Sequence, residues 1–359
     1  MAQKPATAPE LLNALAEQID IPGRIPKSAG AHFALEYVGL RVALIGFGNV
    51  GRAFARLLER KRAAYPFLIT GIHTARHGSA FDPRGLSASP AFGAAAACID
   101  EFLERSRAEI AIEITTLNPA TGEPAISHIR AAFARGMHVV TANKGPIAHA
   151  FRALRDEARA AGVEFRYEST CMDGTPVFNM VRNTLPGVEI QGFTGVLNST
   201  TRVVILAMRR GLSFDDGIAE ARRMGIAEAD ARYDTEGWDS AAKTAALANV
   251  LLDAGVTPLE VDRRGIGRLT PERMAELAAK RKTVALVSRA HRTTGGLKLR
   301  VRAEVLDETD ILAALPGTSN LLLLHTDLMG TIGTVSIDPG VAQTAYGLFS
   351  DVVDIARSV

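Results

Sequence analysis

The stretch LRVALIGFGNVGRAFARLLERKR, residues 40–62, decides the fold. Leu40 to Ile45 is a short apolar run bounded by glycine, the pattern of a strand buried on both faces of a parallel sheet. Val50, Phe54, Leu57 and Leu58 then recur at helical spacing, with charges on the opposite face. Between them Gly46, Gly48 and Gly51 match G-x-G-x-x-G. The first glycine permits a tight turn, the second lets a pyrophosphate approach the backbone, and the third allows close helix–strand packing. The helix N-terminus, at Asn49 and Val50, offers free N–H groups and a positive dipole to a phosphate. A glycine turn without a ligand is the plainer alternative.

Working outward, Pro66 ends the helix and Phe67 to His73 reads as a second strand. An Ala/Gly/Ser stretch over 79–97 reads as irregular and is followed by another helix. AEIAIEITT is a strand ending at Thr115 and Thr116, the next candidates for cofactor contact. A helix over Ala125–Arg135, a strand over His138–Ala142, a helix over Ile147–Ala161 and a strand over Val163–Glu168 follow. This alternation predicts a Rossmann-type, doubly wound parallel sheet over residues 38–168. Residues 1–37 look like an extension with one short amphipathic helix, built on Leu11, Leu12, Leu15 and Ile19.

Residues 169–340 have a different texture. Strands are expected at Gly187–Leu197 and, as antiparallel segments, within Val284–Val305 and Asn320–Ser336. Helices are expected at Thr201–Arg210, Phe214–Met224 and Asp239–Ala254. This is an α+β substrate and dimerisation domain. A closing helix, Thr344–Arg357, is apolar enough to need a partner, and it is expected to pack back on the first domain.

Apolar residues make up 47% and charged residues 22%, which fits a globular protein with a real core. A net charge of +2 argues against nucleic acid or an anionic membrane as the main partner. Cys98 and Cys171 form no CxxC or metal-type spacing, no secretory signal is visible, and no run is long enough to span a membrane. The expectation is a cytoplasmic protein.

A second stretch, EADARYDTEGWDSAAK at 228–243, gathers five carboxylates before a lysine. Asp239 and Lys243 are i and i+4 on one helix. They suit a surface ion pair, and Asp234 or Asp239 could equally be a helix cap. The same layout also suits chemistry. Hydride reduction of an aldehyde builds charge on oxygen, which a nearby lysine can stabilise and protonate. Glu228 could meet a substrate ammonium. At the end of the second strand, where an acid would favour NAD, the chain has His73-Thr74-Ala75-Arg76-His77. Arg76 suits the 2′-phosphate of NADP.

Several stretches together resemble homoserine dehydrogenases: GFGNVG, VVTANKGPIA (139–148), ESTCMDGTPVFNMVRNTLPG (168–187), GVLNSTTRVVILAM (195–208) and GIAEADARYDTEGWDSAAK (225–243). The likeness runs from about residue 40 to 255 and returns weakly at 310–357. It implies NAD(P)-dependent interconversion of L-aspartate 4-semialdehyde and L-homoserine, on the route to threonine and methionine, in a homodimer. By resemblance, Lys243 is the proton donor, Lys144 lies by nicotinamide and substrate, and Asp239 precedes the catalytic lysine. Glu228, Asp234, Asn198 and Thr200 are the implied substrate residues. Asn143, Lys144 and Gly340 join the cofactor set. Glu168, Cys171, Asp173 and Thr175 match a loop holding a sodium or potassium ion, several through carbonyls. The match is to a short form without a C-terminal regulatory module.

Three positions depart from the pattern. Ser199 replaces the usual glycine after Asn198, Arg202 replaces a small polar residue, and Asp338 stands in a turn that is commonly glycine-rich. The turn at Asp338 is by resemblance a cofactor contact, so the departures bear on the nicotinamide-side contacts as well as on the exact substrate, and they leave room for another hydroxy or oxo substrate. Two further readings are an acylating aldehyde dehydrogenase using Cys171 as nucleophile and a non-catalytic cofactor sensor.

Overall fold

The computed structural model describes residues 39–227 and 230–358; the expected N-terminal helix and Glu228 lie outside them. Strand β1 (Arg41–Ile45) is the centre of the first sheet, and its Val42 to Ile45 are buried as the apolar run requires. Helix α1 (Asn49–Lys61) follows the glycine turn and buries Phe54, Leu57 and Leu58. Next come β2 (Leu68–Thr74), β3 (Gly78–Phe81), α2 (Ile99–Ser106), β4 (Ile110–Glu113), α3 (Ala125–Phe133), β5 (His138–Thr141), α4 (Lys144–Ala160) and β6 (Phe165–Arg166). The strand order is β3-β2-β1-β4-β5-β6. All neighbours are parallel except β2 and β3. The chain therefore reverses direction across the sheet between β1 and β4, and this switch point is where an open α/β sheet binds ligands.

Local chemistry moved several expected boundaries. β3 arises inside the stretch read as irregular, because Gly78 adopts φ +87° and turns the chain back along β2. The strand expected to end at Thr116 stops at Glu113, leaving Thr115 and Thr116 in a loop. Helix α4 starts three residues before the expected Ile147, since the Asn143 side chain caps it by accepting Gly145 N–H. β6 is only two residues long, and Glu168 belongs to a 3-10 turn over Glu168–Thr170.

The second part contains α5 (Phe178–Thr184), β7 (Ile190–Val196), α6 (Ser199–Arg209), α7 (Phe214–Arg223), α8 (Arg232–Thr235), α9 (Trp238–Leu252), β8 (Asp262–Arg263), α10 (Pro271–Ala279), β9 (Lys282–Thr293), β10 (Gly296–Asp307), β11 (Asn320–Thr326) and β12 (Thr331–Ser336). Its sheet runs β12-β11-β7-β9-β10-β8 and is antiparallel apart from the short β8–β10 pair. Helix α9 buries Ala241, Ala245 and Ala248, and these small side chains let it lie against both α4 and the second sheet. One hydrophobic core therefore runs from β4 and β5 through α4 and α9 to β9 and β10. The last helix, α11 (Val341–Ser358), packs on α1 in a separate cluster with Phe54, Leu57 and Leu58.

Candidate active site

The glycine turn has the shape its motif requires. Gly46 has φ +103°, and a Cβ there would lie 2.6 Å from the Ile114 carbonyl oxygen. Gly51 packs against Ile114 and Phe47, so a larger side chain would push α1 away. A Cβ on Gly48 meets nothing within 4 Å; it would point into open space beside the first turn of α1. That turn, at Asn49 and Val50, carries no acid. The backbone and its N–H groups are thus accessible to a pyrophosphate.

Across the switch point, Glu113 organises the ends of β4 and β5. It is completely buried and accepts hydrogen bonds from the N–H and hydroxyl of Thr115 and from the Thr141 hydroxyl. Thr141 Oγ1 accepts Asn143 N–H at 3.0 Å, and Asn143 Nδ2 donates to the Thr115 carbonyl at 3.3 Å. A continuous path of contacts thus leads from Gly46 through Thr115 and Asn143 to Lys144.

At Lys144 the first sheet meets the second part of the chain. Asp239 Oδ1 lies 3.1 Å from Lys144 Nζ, and Asp239 Oδ2 lies 2.9 Å from Lys243 Nζ. Asp239 is only 7% exposed. Burial alone would raise its carboxyl pKa, but the two ammonium groups and the Asn198 amide hold it well below the usual range. Burial likewise opposes the Lys144 charge, and Asp239 outweighs it, so the Lys144 pKa is raised. Lys243 also donates to the Leu197 carbonyl at 2.6 Å. Asn198 caps α6 with its Oδ1, while its Nδ2 donates to Asp234 at 2.7 Å and to Asp239 at 3.0 Å. Thr200 adds a second hydrogen bond to Asp234, whose pKa is raised by burial and the neighbouring Asp239.

A family model described as "Homoserine dehydrogenase, NAD binding domain" matches residues 46–168, and one described as "Homoserine dehydrogenase" matches 176–353. The NAD(+)-dependent homoserine dehydrogenase of Pseudomonas canavaninivorans is 34% identical over 339 residues, covering 89% of this chain and 96% of that one. The homoserine dehydrogenase of Methanocaldococcus jannaschii is 32% identical, covering 88% and 98%. The solved homoserine dehydrogenase structure from Thiobacillus denitrificans superposes with a TM-score of 0.77 at 26% identity, covering 89% of this chain and 74% of that one. The chain belongs to the homoserine dehydrogenase family. It is an NAD(P)-dependent oxidoreductase of that family.

In the structure the plainer readings of the acidic stretch fail. Asp239 and Lys243 form no surface pair, since both are largely buried. Neither Asp234 nor Asp239 caps α9; Gly237, with φ +84°, holds the cap position. The structure brings Lys144, Asp239, Lys243, Asn198, Thr200 and Asp234 together. Val50 is half-buried, whereas Asn49, Thr116 and Gly340 lie exposed at loop or helix ends. Arg76 lies exposed in the β2–β3 turn with no ion pair among the described residues.

The nucleophile reading of Cys171 is also corrected. Its thiol is 3% exposed, and burial pushes its pKa up to about 11, against thiolate formation. In the loop proposed for a cation, the Glu168 carboxylate accepts the N–H groups of Val177 (2.6 Å), Phe178 (2.9 Å) and Asn179 (2.5 Å). Asp173 accepts the Thr344 hydroxyl, and Thr175 N–H donates to the Met172 carbonyl. Among the described residues no three acidic, histidine or cysteine side chains converge as a metal cage. No helix among them is long and apolar enough to cross a membrane.

Sequence reasoning missed Glu113 and the Leu197 carbonyl. Glu113 was visible as a lone acid inside the apolar run IAIE; Leu197 has no side-chain signal at all.

Proposed function

We propose that the chain interconverts L-aspartate 4-semialdehyde and L-homoserine at the Lys144–Asp239–Lys243 cluster. The observation that carries this reading is a buried carboxylate holding two ammonium groups, one of them on the first residue of the helix that follows β5 of the nucleotide-type sheet. NAD(P), when bound, supplies or accepts the hydride. Gly46, Gly48 and Gly51 with the first turn of α1 would hold its phosphates, and Thr115, Thr116 and Asn143 would line the path toward its nicotinamide. Lys243 has spent two of its three donors on Asp239 and Leu197, so the third is free for the substrate oxygen. In the reducing direction Lys243 delivers the proton to that oxygen as it gains charge. Lys144, anchored to the other oxygen of Asp239, adds positive charge beside the same centre. Asp234, with Glu228, is proposed to receive the substrate ammonium.

NADP is the proposed cofactor of preference. No acid ends β2 to accept a ribose 2′-hydroxyl, and Arg76 is exposed beside that position and forms no ion pair among the described residues. The relative from Pseudomonas canavaninivorans is NAD(+)-dependent, so this preference is open to direct test. Removing Arg76 should raise the Michaelis constant for NADPH and spare that for NADH; equal changes would sink the assignment. A sodium or potassium ion at 168–175 is proposed mainly through main-chain carbonyls, because the Glu168 and Asp173 carboxylates are engaged in other hydrogen bonds. We also propose a cytoplasmic homodimer.

The direct test mixes the purified protein with aspartate semialdehyde and NADPH or NADH and follows reduced-cofactor absorbance. Consumption that requires both components supports the reading. No consumption with either cofactor, in the presence of sodium or potassium, overturns it.

A further inference from the structure

Ser199, Arg202 and Asp338, the three departures from the family pattern, meet at one turn. Residues 313–319 lead into β11, which pairs with β7 so that Leu321 faces Val196. The turn therefore lies beside the β7–α6 junction that carries Leu197 and Asn198. Ser199 Oγ donates to the Thr318 carbonyl at 2.7 Å. Arg202, one helical turn along α6, donates to the carbonyls of Gly317 at 3.2 Å and Ala313 at 3.4 Å. From the other side, Asp338 Oδ1 accepts the Thr318 N–H at 3.1 Å and its hydroxyl at 3.2 Å. Asp338 N–H in turn donates to Ser319 Oγ at 3.3 Å.

These contacts come at a cost. Asp338 adopts φ +43°, a region that side chains other than glycine seldom occupy. A Cβ on Gly317 would lie 2.2 Å from Asp338 Oδ1, so the carboxylate reaches the turn only because glycine is there. Arg202 is 6% exposed and forms no carboxylate ion pair among the described residues. Burial holds its pKa down to about 10. A neutral side chain would fill the same space without that desolvation. What the guanidinium adds is a directional grip on two carbonyls of the turn.

We infer that Ser199, Arg202 and Asp338 form one clamp that braces the 313–319 turn against the start of α6. The clamp fixes the Leu197 carbonyl and the Asn198 amide, which in turn orient Lys243, Asp239 and Asp234. The three are positioning residues for the amino-acid substrate and none touches the glycine turn at 46–51; Asp338 stands two residues before Gly340, so the cofactor readout is taken on the Ser199 and Arg202 variants. This inference rests on the proposed site assignment and extends it.

The test compares Ser199→Ala, Arg202→Met, Arg202→Lys and the Ser199→Ala/Arg202→Met double variant. Readouts are the KM for homoserine, cofactor affinity by fluorescence, and the melting temperature. Each single loss should raise the homoserine KM about three- to tenfold, the size expected for a buried hydrogen bond, with cofactor affinity unchanged. Arg202→Lys should recover part of the loss. The double variant should fall short of the product of the singles, because both grip one turn. A lower melting temperature with unchanged KM and kcat would overturn the clamp, as would fully independent effects. If Arg202→Met does not fold, Ser199→Ala and Asp338→Ala carry the same comparison. A parent protein inactive on homoserine would remove the activity reading instead. The clamp would then stand or fall on whether the melting shifts of the variants are non-additive.

Discussion

Asp239 illustrates what one residue can and cannot announce in a sequence. Its i,i+4 spacing to Lys243 was legible, because a helix puts those positions on one face. Its burial and its second partner were not, since Lys144 arrives on α4 from the other sheet and no local period reports a contact between distant elements. Replacing Lys243 by alanine should cost turnover about a hundredfold or more while cofactor binding persists, because a positioned proton donor is lost. Steady-state rates paired with a cofactor titration check this; turnover near the parent value would clear Lys243 of the role. Gly48 offers a cleaner separation of fold from function. Its backbone, at φ −81°, suits any residue, and an added Cβ meets no protein atom. Gly48→Ala should therefore melt like the parent yet bind NAD(P) about tenfold or more weakly, since the methyl enters the space a pyrophosphate needs. A parallel drop in melting temperature would mean that the methyl disturbs the protein itself.

At the scale of elements, the strands with strong apolar runs were legible and the small ones were not. β1 and β4 stand out because both faces are covered and apolar residues fill most of each strand, and β5 shows the same signal in its central Val139-Val140. β3 reads GSAF, with no alternation, and it forms because β2 has an edge to offer. The short helices α5 and α8 were overlooked because a turn or two of helix carries too little periodicity, whereas α10, nine residues long, was overlooked although Thr270 caps it and Pro271 opens it. Helix α11 shows how an element far in sequence completes the core around α1. Its Leu348 and Phe349 join the α1 cluster, and the Phe349 ring packs past the far end of α1, meeting Tyr65 edge-on at 5.0 Å and Phe67 at 6.4 Å between centroids. Phe349→Ala removes a nearly buried ring, and such truncations cost about 3–5 kcal/mol. Urea denaturation should show a loss of that size. A shift below about 1 kcal/mol would mean that α11 is only loosely attached.

For the molecule as a whole, the salt link Lys144–Asp239–Lys243 ties α4 of the first sheet to α9 of the second part. It is both a candidate catalytic group and a joint. The Asp239 pKa is lowered on folding, so its contribution is present above the ordinary aspartate value of 3.8 and is lost as pH falls through the folded value. The Lys144 pKa is raised, so its contribution is present below the ordinary lysine value of 10.5 and is lost as pH rises through the folded value. Between these limits the joint is fully formed. Asp239→Asn removes the carboxylate and leaves both ammonium groups buried without it. Breaking a buried pair in this way typically costs about 3–5 kcal/mol near neutrality. The sign of the pH dependence then reverses for Lys144. Burial, the largest influence on it, then outweighs the smaller opposing influences of Cys171 and Asp234, so its folded pKa drops below the unfolded value. The unfolded state then binds more protons than the folded one, and stability rises with pH toward 10.5. The gap between parent and Asp239→Asn should be widest near about pH 7 and should narrow by about pH 9.5, as measured by urea denaturation at both. A gap that stays constant across that range would show that the variant's cost comes from lost packing, with no buried charge involved.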